Sequence, residues 1–222
     1  MDIATEGLVK SLVDLASKSL GSSFARYWPA RGNNCPKEKN VSFHLAHTML
    51  REKWAVFAEA VHPDPRIRGV DLVGVSPEDD WFLACESKRL YTTETLTSMF
   101  DDLGRLKSFW LNRSLSEASY GGPVHRLATE CRRGYGLVVG LHWAGRRSSL
   151  MSFWQQPCRS PKNDGQCQFV ARVKEVGGVF LEPTFVYEFP KGSRIYLLSV
   201  CFQIVPQEQP HTPRSCREDD ND

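Results

Sequence analysis

Asp71, Glu86 and Lys88 are the residues of this chain whose types and spacing could do chemistry. They lie in GVDLVGVSPEDDWFLACESKRL, residues 69–90, which reads as two apolar strands joined by an acidic turn. Alternate residues of a strand share a face, so Glu86 and Lys88 point the same way. Asp71, on the first strand, comes opposite them if the register places it there. A lone carboxylate in an apolar hairpin is costly to bury, and a metal ion or an ammonium relieves that cost. Carboxylates converging at a strand end suit a hard cation such as Mg²⁺ or Mn²⁺.

The elements that must position these residues are legible on both sides. Residues 5–27 place Leu8, Leu12, Leu15, Ala16 and Leu20 at helical spacing, weakened by Gly21-Ser22-Ser23. A helix over 38–53 carries the stripe Val41, Leu45, Ala46, Met49 and Leu50. WAVFAEA (54–60) reads as a strand, followed by a turn at HPDPR, and the hairpin strands span about 67–75 and 80–87. Residues 93–115 form a long helix with Leu96, Met99, Phe100, Leu103, Leu106 and Trp110 on its buried face. YGLVVGLHW (135–143) is a near-continuous apolar run, as in a central strand covered on both sides.

Beyond it, 146–156 reads as a short helix, 160–166 as a loop and 169–176 as a strand or a short helix. Residues 179–189 and 194–205 flank PKGS as a hairpin. The expectation is one α/β domain over 1–205 with a mixed central sheet and a C-terminal β-hairpin extension, its last strands spanning about 169–205. An acidic, disordered tail over 206–222 completes the expected organisation.

Composition narrows the class. The chain has 222 residues, 41% apolar and 24% charged, which is ordinary globular usage. No apolar run approaches 18 residues, so no membrane helix is expected, and the first twenty residues do not read as a secretion signal. The seven cysteines are scattered, without zinc spacing; Cys85 and Cys201 read as buried thiols, and a reducing cytoplasm fits. The net charge of +2 conceals an asymmetry: residues 105–174 hold 12 Lys/Arg against 3 Asp/Glu. Such concentration suggests a polyanionic partner, with a solvated surface as the plainer alternative.

An Asp on one strand and Glu-x-Lys at the end of the next resembles the PD-(D/E)xK nuclease superfamily, the restriction-endonuclease-like fold. Here the motif is Val70-Asp71, fourteen residues, then Glu86-Ser87-Lys88, with Val70 where the motif's proline would stand. The flanking elements match that family's αβββαβ core over about residues 38–143. The resemblance implies that Asp71, Glu86 and the Ser87 carbonyl hold Mg²⁺ or Mn²⁺, which polarises a scissile phosphate and activates water. Lys88 then orients that water or steadies transition-state charge. A further acid on the first core helix is common in the family; Glu38 is the candidate, with Glu59 on the first strand as second choice.

The resemblance also implies a nucleic-acid substrate, DNA before RNA, and a small nuclease acting as the effector of a bacterial defence system. Arg89 follows the motif and either meets a phosphate or pairs with Asp101 or Asp102. Arg105 faces the site as a contact to the nucleic acid or belongs to a solvated helix face. Arg132, Arg133, Arg146 and Arg147 flank the 135–143 strand, with Trp143, Phe153 and Trp154 interleaved. Phe153 and Trp154 read as core rather than as base-stacking platforms. His44 and His47 have a metal-compatible helical spacing but no third ligand, and Cys131 with His125 has no supporting pattern. The alternative function is a non-catalytic nucleic-acid-binding or assembly subunit on the same fold. In that case the apolar C-terminal hairpin docks a protein partner or a second copy.

Overall fold

The computed structural model describes residues 3–27, 37–60, 69–76, 81–91, 95–111, 131, 133–145, 148–157, 161–190 and 192–205. Twelve elements follow in order: α1 (Ile3–Tyr27), α2 (Glu38–Arg51), β1 (Ala55–Ala60), β2 (Val70–Ser76), β3 (Trp81–Leu90), α3 (Leu96–Leu111), β4 (Arg133–Ala144), α4 (Ser149–Gln155), α5 (Asp164–Glu175), β5 (Val179–Phe180), β6 (Thr184–Glu188) and β7 (Arg194–Val205). None of the described helices is long and apolar enough to cross a membrane. The expected tail over 206–222 lies outside the described residues.

The fold is α/β around one seven-stranded mixed sheet in the order β1-β2-β3-β4-β7-β5, with β6 also pairing β7. Only β3 and β4 run parallel; the other pairs are antiparallel. A parallel neighbour needs a crossover, and α3 supplies it. Helices cover both faces, so β4 is apolar along almost its whole length, as its sequence predicts. One face packs Val73, Phe82, Ala84, Val138 and Leu198 against α3, α4 and α5. The other packs Leu72, Leu83, Cys85, Leu137 and Leu197 against α1 and α2. Odd and even residues of β3 thus sort to opposite layers.

Several expectations shift. The buried face of α1 is Val9, Leu12, Val13, Ala16, Leu20 and Phe24, whereas Leu8 and Leu15 are exposed. Both stripes have helical spacing; contact with α2 and β6 selects the one containing Val9 and Val13. Of the loop expected over 160–166, residues 164–166 are the first turn of α5. Asn163 caps α5 by accepting from the Gln166 N–H at 2.9 Å, and the Gln166 side chain accepts from the Lys162 N–H at 2.6 Å. That reciprocal arrangement is close to a capping box, and it resolves 169–176 as helix. The 179–189 strand is broken into β5 and β6, both paired with β7.

The hairpin's apolar residues serve this chain's own core. β7 lies between β4 and the β5–β6 edge, and α1 packs on β6, where the Ser17 hydroxyl donates to the Phe185 carbonyl at 2.5 Å.

Candidate active site

The β2–β3 ladder runs from Ser76↔Trp81 to Leu72↔Cys85 and stops there. β3 continues alone on that side, still paired with β4 as far as Leu90↔His142. The sheet therefore forks at Asp71 and Glu86, and side chains take over from the ladder. The Asp71 carboxylate accepts from the Ser87 N–H at 2.9 Å through Oδ2. The Asp71 N–H points at Glu86 Oε1, 3.3 Å away. Each carboxylate thus meets a backbone N–H of the opposite strand, which fixes both against the fork.

One layer, on the α2 side, is built from hydroxyls. Ser87 Oγ lies 3.0 Å from Asp71 Oδ2, 3.1 Å from the Glu38 carbonyl and 2.6 Å from Ser42 Oγ. A hydroxyl carries one proton, so Ser87 donates to Asp71 or to the carbonyl while accepting from Ser42. The first turn of α2 is thereby tied to the fork.

The other layer, on the α3 side, is built from charges. Arg105 Nη2 lies 2.6 Å from Glu86 Oε2 and 2.6 Å from Asp102 Oδ1. Its Nη1 donates to the Gly69 carbonyl, just before β2, at 3.2 Å. Lys88 Nζ is 3.3 Å from Asp102 Oδ2, close enough for ion pairing but off the line a hydrogen bond needs. The charges alternate as Glu86, Arg105, Asp102, Lys88. Glycine at 140, the β4 partner of Lys88, makes this approach possible: a Cβ there would collide with Leu90 and press on Met99 of α3.

Among the described residues, the three carboxylates in direct contact at the fork (Asp71, Glu86, Asp102) meet two cations there (Lys88, Arg105). Burial and the charge of Asp71 push the pKa of Glu86 up to about 7, against the pull of Arg105 and Lys88. Burial likewise raises Asp102, which Lys88 and Arg105 draw back down. Such a site fits a hard divalent cation in kind. Asp71 and Glu86 supply two carboxylates across the fork, and the Ser87 carbonyl lies on the strand between Glu86 and Lys88. Among the described residues no three His, Cys, Asp or Glu side chains form a metal cage. Two carboxylates completed by water and phosphate oxygens are the usual holding of Mg²⁺.

The structure thus brings Asp71, Glu86, Ser87 and Lys88 together, with the backbone of Glu38 beside them. Of the two further acids, Glu38 reaches the site through its backbone carbonyl, whereas Glu59 pairs with Lys39 at 2.8 Å on the exposed surface. Two expectations need correction. Arg105 is not on a solvated helix face, because its side chain is 16% exposed and is held by the site's own acids. Arg89 does not pair with Asp102, which Lys88 and Arg105 occupy; its guanidinium stacks on Tyr91, 4.6 Å from the ring centre.

Arg133 starts β4 opposite Trp81, five residues or about 16 Å along the strand from the register of Glu86. Arg132, Arg146 and Arg147 lie outside the described residues, as does much of the basic middle of the chain. His44 packs with its Nδ1 2.8 Å from Ser19 Oγ, and burial lowers its pKa. Phe153 and Trp154 are core, as expected, and Trp143 stacks on Phe189 at 4.7 Å. Cys85 and Cys201 are buried thiols.

Sequence reasoning missed Asp102 and Ser42. Asp102 entered only as a possible partner of Arg89, and its place three residues before Arg105 is an ordinary helical ion-pair spacing. Ser42 carried no signal beyond being a small polar residue one turn into α2. Compared with family models, curated proteins and solved structures, the chain has no significant match, so the reading of this site rests on its geometry.

Proposed function

We propose that this chain is a divalent-metal-dependent nuclease with a restriction-endonuclease-like core, and that Asp71, Glu86 and Lys88 are its catalytic residues. The observation that carries the reading is the fork: two carboxylates meet across a gap in the sheet, with more acids than cations in direct contact among the described residues and an ammonium on the same strand face as Glu86. Mg²⁺ or Mn²⁺ would be held by Asp71 and Glu86, with the Ser87 carbonyl alongside; when bound it supplies Lewis-acid polarisation and an acidified water. Asp71 is aimed by the Ser87 N–H, with the Ser87 hydroxyl beside the same oxygen. Lys88, tethered to Asp102, sits where it can steady charge on a phosphate. Glu38 stands at the rim on α2 as a further acid.

DNA is the favoured substrate, and the chain's Lys/Arg-rich middle is the proposed contact with it, through Arg89 and Arg133 and through Arg132, Arg146 and Arg147. Buried free thiols favour a reducing, cytoplasmic setting. A small nuclease of this kind suits the effector role in a bacterial defence system, targeted by a partner.

The test is cleavage of plasmid, linear duplex and single-stranded DNA with Mg²⁺ or Mn²⁺, against a chelator control and Lys88→Ala. The expected outcome is metal-dependent cutting that falls at least about 100-fold in the variant. A folded protein that cuts none of these with either metal defeats the reading. The rival is a structural ion cluster in a binding or assembly subunit, which the Lys88–Asp102 and Arg105–Glu86 pairs favour. Under it Mn²⁺ does not bind and Asp71→Ala alters stability alone.

A further inference from the structure

We infer that Asp102 and Arg105 are positioning residues that set Glu86 and Lys88 for their work, an inference resting on the metal-dependent reading of the fork. Arg105 forms an ion pair with Oε2 of Glu86 at 2.6 Å, while Oε1 accepts from the N–H of Asp71 across the gap at 3.3 Å. The guanidinium therefore decides which carboxylate oxygen faces the place between the two acids. It is itself held by Asp102 Oδ1 and by the Gly69 carbonyl, so one planar fork ties the start of β2, the end of β3 and the middle of α3. The contacts to Asp102 and Gly69 are hydrogen bonds and the one to Glu86 is a close ion pair; an ammonium lacks the planar fork that holds all three at once.

Asp102 does the corresponding work for Lys88. Its carboxylate is buried and divides its oxygens, Oδ1 to Arg105 and Oδ2 to Lys88. A lysine side chain has four rotatable bonds, and without Asp102 its ammonium leaves the fork for solvent. The pair therefore acts on two properties at once, the orientation of a metal-binding oxygen and the placement of the ammonium. Outer partners of metal ligands typically change metal affinity by about 10–100-fold.

The experiment compares wild type, Arg105→Lys and Asp102→Asn by Mn²⁺ titration calorimetry, with thermal unfolding confirming that each is folded. Arg105→Lys keeps the charge and loses the fork geometry. Its Mn²⁺ dissociation constant is expected to rise about 10-fold or more. Asp102→Asn keeps the shape and the contact to Arg105; its Mn²⁺ affinity is expected to stay within about 3-fold, while kcat on DNA at saturating Mn²⁺ falls about 10-fold or more with KM unchanged. Unchanged Mn²⁺ affinity in a folded Arg105→Lys overturns the proposal for Arg105, and wild-type turnover in Asp102→Asn overturns it for Asp102. If wild type binds no Mn²⁺, the proposal fails together with its premise. A wild type that binds Mn²⁺ but cuts no DNA sinks the nuclease reading, and the affinity of Arg105→Lys then decides the proposal by itself.

Discussion

Two polar networks are buried on the same face of the sheet, only a few residues apart. One is the fork, with Glu86 and Lys88 on β3. The other centres on His142 of β4, two residues past the partner of Lys88. His142 Nδ1 lies 2.9 Å from the Leu90 carbonyl, and its Nε2 lies 2.7 Å from Ser148 Oγ. A carbonyl only accepts, so Nδ1 carries the proton and Nε2 accepts from the serine hydroxyl. Ser148 Oγ in turn accepts from the Met151 N–H at 3.2 Å, capping α4. Every donor has an acceptor, and burial lowers the histidine's pKa against the pull of the Leu90 carbonyl, which favours the neutral ring.

The two networks share depth and differ in closure. The histidine network is neutral and complete, so it asks for nothing further. Among the described residues in direct contact, the fork has three acids against two bases and a carboxylate that is costly to ionise. A polar network that is buried and closed explains itself by stability. One that is buried and unbalanced calls for a partner, and the sign of the imbalance specifies a cation.

The largest effect that separates them is the pH dependence of stability in metal-free protein. Glu86 has a folded pKa of about 7 against an ordinary value of 4.5. Between these values the unfolded chain has lost a proton that the folded chain retains, so stability falls as pH rises from about 4.5 through 7. The full loss is on the order of 3 kcal/mol, nearly complete by about pH 8 and absent at about pH 4. Thermal unfolding in chelator should show it in wild type and not in Glu86→Gln. Saturating Mn²⁺ should flatten the wild-type curve. A Glu86→Gln profile that parallels wild type would mean that the fork is already balanced.

Breaking the closed network should behave differently. Ser148→Ala removes the cap of α4 and leaves the imidazole Nε2 without its donor. The expected loss is about 2 kcal/mol, roughly half from each. Its size should not depend on Mn²⁺, because nothing in that network carries a charge for the metal to meet. A Ser148→Ala variant with weakened Mn²⁺ binding would show that the two networks are coupled.

Much of the fork was legible before the fold was known, for a physical reason. Val70, Leu72 and Val73 on one strand, and Phe82, Leu83 and Ala84 on the next, are too apolar to leave at the surface, so Asp71 and Glu86 had to be carried inward with them. The alternation of strand residues then put Glu86 and Lys88 on one face. The roles of Asp102 and Arg105 were not legible. Helical spacing fixes their relation to each other, but which β-strand end they meet depends on how far α3 slides across the sheet, and the small residue at Gly140 helps set that. The face of α1 failed for a similar reason, since Leu8 and Val9 lie on competing stripes and only the partner surface chooses. In α5 the signal was present, as Asn163 and Gln166 at capping-box spacing, but the sequence reading assigned both to a loop.

The smallest expected effect belongs to an acid that the sequence could not separate from the rest. Glu59 sits on β1 next to Ala60, which pairs with Val70, one residue before Asp71. By distance along the sheet it is as plausible a participant as Glu38. Its surroundings decide otherwise: both it and its partner Lys39 are more than three-quarters exposed. Lys39 lowers the pKa of Glu59 by hydrogen bonding and charge, but an ion pair held in water at ordinary ionic strength contributes little. Glu59→Gln should therefore leave thermal stability, Mn²⁺ affinity and cleavage unchanged, whereas Glu38→Gln, at a position whose backbone is bonded to Ser87, should lower cleavage. Reduced cleavage in Glu59→Gln with normal activity in Glu38→Gln would reverse the assignment and move the fourth acid of the fork from α2 to β1.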